Sequence, residues 1–182
     1  MKTQLELKVK AILPALNTVQ VWTDGSCFWG DKVGGIGIYM RYGNHELEFC
    51  KGFKETKIGR MEVLAIIFAL KLITRKDVNV ILYGDSQYAL NLINKGWAED
   101  WLATNNFNNK ANFDLMEPLI HEIKQFKTKP TLIHVKGHQG NEGNEKADKL
   151  AGLGRQKAFE GNFHLDTHAL TKDIINDWVT IK

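Results

Sequence analysis

The stretch that most constrains this chain is MEVLAIIFAL, Met61 to Leu70, in which every residue is apolar except Glu62. A helix that is apolar on nearly every side is built for burial, so other elements must cover it. The glutamate at its head is then a problem. An unpaired charge against a core costs several kcal/mol, about the whole stability margin of a domain. Three readings compete: a first-turn acid facing water and favoured by the helix dipole, a salt bridge to Arg60 or a distant lysine, or a ligand for a metal ion. The rest of the chain has to decide between them.

The order of elements around this helix narrows the fold. VQVWTDGS, from Val19, alternates apolar and polar residues and ends in a turn-forming Asp-Gly. GGIGIYMRYG and HELEFCKGFK follow, separated by Gly43-Asn44, which predicts a hairpin. After the long helix, starting near Gly59, NVILYGDS reads as a short buried strand of the parallel type, and Ser86 caps the helix SQYALNLINKG. The segment from Trp97 to Asn112 shows only a Trp97/Trp101 pair at helical spacing and reads as a loop or a short helix with a loop. FDLMEPLIHEIKQFK predicts a helix with Pro118 in its first turns, TLIHVKG a buried strand, and NEGNEKADKLAGLGRQKAF a final amphipathic helix. A meander followed by alternating helices and strands implies an α/β fold: one five-stranded mixed sheet, antiparallel meander plus parallel strands, flanked by helices.

With 182 residues and 43% hydrophobic content, the chain suits one domain over 19–159, an N-terminal extension over 1–18 and a C-terminal tail over 160–182. The net charge of +3 permits a polyanionic partner without demanding one. Cys27 and Cys50 are too few for a disulfide framework or a zinc site, which favours a reducing compartment. No apolar run reaches membrane-spanning length, and the first residues lack a signal-peptide pattern. The expectation is a soluble cytoplasmic monomer.

Two acids fall where such sheets place their chemistry, near the carboxyl ends of strands: Asp24 in the first strand and Asp85 directly after VILYG. A right-handed crossover makes those strands neighbours, so the two carboxylates would lie side by side and repel unless a cation sits between them. Singly, each reads as a turn or cap residue. Jointly they give Glu62 a destination, since its helix connects the two strands, and Asp148 in the last helix is a fourth acid beside the buried stripe. Four hard oxygen donors without a Cys/His pattern point to Mg²⁺ or Mn²⁺, and a pair of such ions is the usual device for phosphodiester hydrolysis.

TDGSC at 23–27, GGIGIYMRYG, GRMEVLAIIFAL, YGDSQYAL and VKGHQGNEGNEKADKLA, in this order, resemble the type 1 ribonucleases H over roughly Val19 to Phe159. The resemblance implies the ribonuclease H-like fold and a catalytic quartet at Asp24, Glu62, Asp85 and Asp148. It also implies endonucleolytic cleavage of the RNA strand of an RNA/DNA hybrid, leaving 5′-phosphate and 3′-hydroxyl ends. Two Mg²⁺ ions are implied, with Mn²⁺ as a substitute: one held by Asp24 and Asp148 beside the attacking water, the other by Asp24, Glu62 and Asp85 beside the 3′-oxygen. His138, in a glycine-rich loop, matches an auxiliary residue for proton transfer or product departure, with Glu145 nearby.

Substrate contacts are expected from Gly25, Ser26, Thr56, Lys57, Arg60, Gln87, Trp97 and Trp101, with Gly34 and Gly35 allowing close backbone approach. For the tryptophans, core packing is an equal alternative. The chain departs from the family at Ile58-Gly59, before Arg-x-Glu, and at Gly30 or Asp31, where asparagines often stand. The segment after Trp101 resembles a shortened basic protrusion with one lysine, Lys110, so hybrid binding should rely little on phosphate neutralisation, or borrow affinity from a partner. Leu170, Ile174, Ile175 and Trp178 fall at helical spacing in the tail, where packing onto the domain is favoured over a partner-binding helix. A catalytically silent nucleic-acid-binding module is the main rival, and the mutual repulsion of four retained acids argues against it. A structure-selective nuclease or exonuclease is the second, and the His138 loop with the TDGS-to-GRME spacing argues for the hybrid.

Overall fold

The three N-terminal β-rich runs form the expected meander: β1 (Thr18–Phe28), β2 (Val33–Tyr42) and β3 (His45–Lys54), each antiparallel to the next. Gly43, at φ +58°, supplies the left-handed conformation that lets Tyr42 pair with His45 across the turn. The computed structural model describes residues 17–28, 30–104 and 110–166. Most of the N-terminal extension, the residues 105–109 and the helical pattern at Leu170 to Trp178 lie outside them.

α1 (Ile58–Leu72) leads from β3 to β4 (Asn79–Gly84), which lies parallel to β1 and directly beside it. α2 (Gln87–Asn94) follows, capped by the Ser86 hydroxyl, which accepts from the Ala89 amide. The Trp97 segment is a short helix, α3 (Trp97–Ala103), after which a 3₁₀ turn at Phe113–Leu115 opens α4 (Met116–Lys124). β5 (Thr131–His134) runs parallel to β4, and α5 (Glu142–Phe159) follows with Asn141 as its cap.

The sheet has six strands, in the order β5-β4-β1-β2-β3-β6, rather than the expected five. The addition, β6 (His164–Leu165), pairs in parallel with Phe53 and Lys54 of β3. Two residues carry no periodic signal, so the sequence placed them in the tail.

Helices cover both faces. Met61 and Val63 to Leu70 are all buried, because α1 packs against β1 and β2 on one side and against α2 and α4 on the others. Each large aliphatic or aromatic side chain so buried contributes about 1.5–3 kcal/mol. α5 lies on the opposite face, over a smaller cluster in which Trp22 stacks between Tyr39 and Tyr83 beside Ala147. This helix comes unusually close to the sheet: a Cβ at Gly37 would strike the backbone of Ala147 and Ala151, and one at Gly35 the backbone of Ala151 and Arg155. Gly35 therefore serves helix packing, not the substrate approach expected of it.

Candidate active site

Continuing the β1–β4 register past Trp22–Tyr83 brings Asp85 level with Asp24 at the centre of the sheet. α1 begins on the same side. Gly25 lets it come close, since a Cβ there would stand 2.6 Å from the Glu62 amide nitrogen. Asp24, Glu62 and Asp85 consequently place carboxylate oxygens within 4.8 Å of one another. Among the described residues, no lysine or arginine forms an ion pair with any of the three.

That arrangement is costly without a cation. Burial, then the charges of Asp85 and Asp148, push the Asp24 carboxyl up to about 7. Burial, then Asp24 and Asp85, push Glu62 up to about 9. The nearby Gly25 amide dipole favours both carboxylates and offsets part of this. Crowded oxygen donors that resist ionisation together fit a hard divalent cation, which would bring their pKa values down. Glu62 is therefore a part-buried member of the acid cluster and is not paired with Arg60.

Asp148, on the first half of α5, lies close enough to Asp24 for its carboxylate to raise the Asp24 pKa further. It stands outside the tightest trio and is half exposed. The His138 ring faces it at 3.9 Å, on a loop whose left-handed backbone (φ +55°) turns an 82% exposed side chain toward solvent. The same loop packs on the site, because a Cβ at Gly137 would stand 2.7 Å from an Asp85 carboxylate oxygen. From β5, the His134 ring Nε2 lies 3.1 Å from the Asp85 carbonyl oxygen.

The expected substrate residues separate into two groups. Lys57 and Gln87 are exposed and Ser26 is part-buried, each within five residues of one of the acids in sequence. Trp97 and Trp101 stack with centroids 6.2 Å apart, partly packed on the core, with Lys95 Nζ 5.2 Å from the first ring and Lys110 Nζ 4.9 Å from the second. Thr56 and Arg60, by contrast, are turned inward. Arg60 donates in two-pronged fashion to Asp166 (2.7 and 2.7 Å) and to Asp114 (2.8 and 2.9 Å), and the Thr56 hydroxyl donates to Asp166 at 2.7 Å. Burial works against the Arg60 charge, but the bonds to Asp166 and Asp114 outweigh it and hold the guanidinium firmly protonated. Arg60 thus anchors the first turn of α1, two residues from Glu62, instead of meeting substrate. Sequence reasoning missed Asp114, Asp166 and His134, none of which stands at a position with a local signature, and it noted the loop that holds Gly137 without giving that glycine a role.

A family model described as RNase H matches residues 16–156. The chain belongs to the ribonuclease H family. This ribonuclease H is 41% identical over 140 residues to the Ribonuclease H of Desulforamulus reducens, covering 75% of this chain and 86% of the relative. It is 39% identical over 137 residues to that of Syntrophus aciditrophicus, covering 73% and 78%. A crystal structure of a type 1 RNase H with the type 2 active-site motif superposes with a TM-score of 0.67 at 21% identity, over 91% of this chain and 82% of that one, a likeness that bears on the fold alone. The chain is a metal-dependent endoribonuclease that hydrolyses the RNA of RNA/DNA hybrids. Among the described residues no helix is long and apolar enough to cross a membrane.

Proposed function

We propose that Asp24, Glu62, Asp85 and Asp148 are the catalytic carboxylates of this ribonuclease H and hold two Mg²⁺ ions, for which Mn²⁺ can substitute. The observation that carries the reading is the trio of carboxylate oxygens within 4.8 Å at the centre of the sheet, two of them with strongly raised pKa values and no basic partner. Held by these carboxylates, divalent ions would supply a nucleophile at neutral pH and would neutralise charge on the phosphate and on the leaving 3′-oxygen. Asp24, central to the group, is shared between Glu62 and Asp85 on one side and Asp148 on the other. Gly25 aims its amide into the cluster and fixes the separation of Asp24 from Glu62. His138, exposed on its Gly-flanked loop and facing Asp148, assists proton transfer or product departure.

Ser26, Lys57 and Gln87 border the acids and contact the hybrid near the cut, while the Trp97/Trp101 stack with Lys95 and Lys110 offers an aromatic and cationic rail for the opposite strand. The protein works as a cytoplasmic monomer. Cleavage of an end-labelled hybrid, compared with double-stranded RNA and duplex DNA, in Mg²⁺ and in EDTA, tests the reading. A Mg²⁺-dependent cut confined to the RNA of the hybrid is expected, and Asp85→Asn should abolish it along with Mg²⁺ binding by calorimetry. A fully active Asp85→Asn variant refutes the site.

A further inference from the structure

β1 and α5 each carry one of the acids and then continue away from it, side by side. Phe28 ends β1 four residues beyond Asp24, about 13 Å along a strand, and Phe159 ends α5 eleven residues beyond Asp148, about 16 Å along a helix. The two rings meet edge to face with centroids 6.1 Å apart. Both are half exposed, at 53% and 48%, and Leu153 beside them is 43% exposed. Together with Lys149, Arg155 and Gln156 they line an open groove of about 670 Å³ with no acidic residue in its wall. Lys149 directly follows Asp148 in sequence, so the groove begins where the acids end.

We infer that this groove receives single-stranded RNA continuing from the hybrid. The inference rests on the reading of the acids as the cutting site, because the strand lying over Asp24 and Asp148 is then the RNA, and its continuation along α5 meets this surface first. Unpaired bases stack on exposed aromatic rings, and cations beside them take the phosphates, which is how sequence-tolerant single-strand binding is generally built. Charge complementarity favours this occupant: Lys149 and Arg155 form no ion pair with a described residue, and an acid-free wall suits a polyanion. A double helix is too wide and stiff to present a base face to the Phe28 ring, whereas a frayed or overhanging strand can.

The test measures binding of the full chain carrying Asp85→Asn, so that the RNA stays intact, by fluorescence anisotropy in Mg²⁺. The probes are a blunt hybrid, hybrids with a short single-stranded RNA overhang at either end, and hybrids with a DNA overhang instead. Extending the RNA strand at one end should tighten binding about tenfold over the blunt hybrid, whereas extending the DNA strand, which does not pass over Asp24 and Asp148, should not. In Phe28→Ala/Phe159→Ala that ratio should fall to near one. In Lys149→Gln/Arg155→Gln it should fall partway and lose salt dependence, with unchanged circular dichroism melts in both cases. The inference is overturned if no overhang tightens binding, if a DNA overhang does so equally, or if the ratio survives loss of both rings. It is likewise overturned if the aromatic variant instead abolishes self-association of the chain with no overhang effect. Wild-type cleavage of the blunt hybrid separates the two readings: no cut removes the catalytic reading, whereas a cut with an overhang ratio of one removes only the groove.

Discussion

Replacing Asp166 by alanine removes one of two carboxylates from a buried guanidinium. The Arg60 side chain is 2% exposed and that of Asp166 is fully buried, so water cannot take the place of the lost partner. Two charge-assisted bonds to Arg60 and one from the Thr56 hydroxyl go at once. Breaking a buried pair in this way costs about 3–5 kcal/mol, most of it the penalty of the stranded charge. For a domain of this size each kcal/mol lowers Tm by about 2–4 °C, so a fall on the order of 6–20 °C is expected. Asp114 makes bonds to Arg60 nearly as short, but its side chain is 23% exposed and water can replace it. Asp114→Ala should therefore cost less than half as much. Removing the charges together, as Arg60→Met/Asp166→Leu, should recover a large part of the loss, because the one carboxylate then left without its partner, Asp114, is 23% exposed and can be hydrated. Differential scanning calorimetry on the three variants and the wild type reads this directly. If Asp166→Ala melts within about 2 °C of wild type, or less than Asp114→Ala, the solvent-exclusion argument fails.

The acid cluster makes a prediction about pH. Asp24 and Glu62 hold their protons to about 7 and about 9 when folded, whereas in the unfolded chain carboxylates lose them near about 4. Between those limits the unfolded state binds fewer protons, so the metal-free protein loses stability as pH rises, by about 1.4 kcal/mol for each pH unit over which one proton is held back. In EDTA, Tm should fall from about pH 5.5 to about pH 8.5, and Glu62→Gln should flatten the decline; a Tm that rises over that range in wild type, or an unaltered slope in the variant, contradicts it. Gly37→Ala should lower Tm sharply or prevent folding, since its Cβ meets the α5 backbone, while Gly152→Ala, with open space around it in mid-helix, should gain about 0.5–1 kcal/mol; equal effects would mean that α5 can lift from the sheet. Hybrid affinity should depend shallowly on salt, because Lys95 and Lys110 are the cations seen against the Trp97/Trp101 stack, and a slope equal to about six to ten phosphate contacts would refute this.

What the sequence disclosed about the site follows from where each residue stands. Asp24 and Asp85 were legible because parallel strands put their carboxyl ends at a shared edge, and Glu62 because it was the one charge heading an apolar helix. Arg60 was misread for the same kind of reason. Next to Glu62, at the head of a helix, it looks like a surface cation, and only partners 54 and 106 residues away reveal that it is buried. No periodicity marks such a contact, since Asp114 sits in a three-residue 3₁₀ turn and Asp166 just past a two-residue strand. The glycines were misassigned because a missing Cβ says that something comes close without saying what, and for Gly35 the visitor is α5 rather than substrate. Asp166 also lies beyond the family match, which ends at 156. The carboxylate that locks the first turn of α1, and with it the approach of Glu62 to Asp24, is therefore supplied by a segment that the catalytic motifs do not contain. Loss of that segment should loosen the acid cluster without altering one of its ligands.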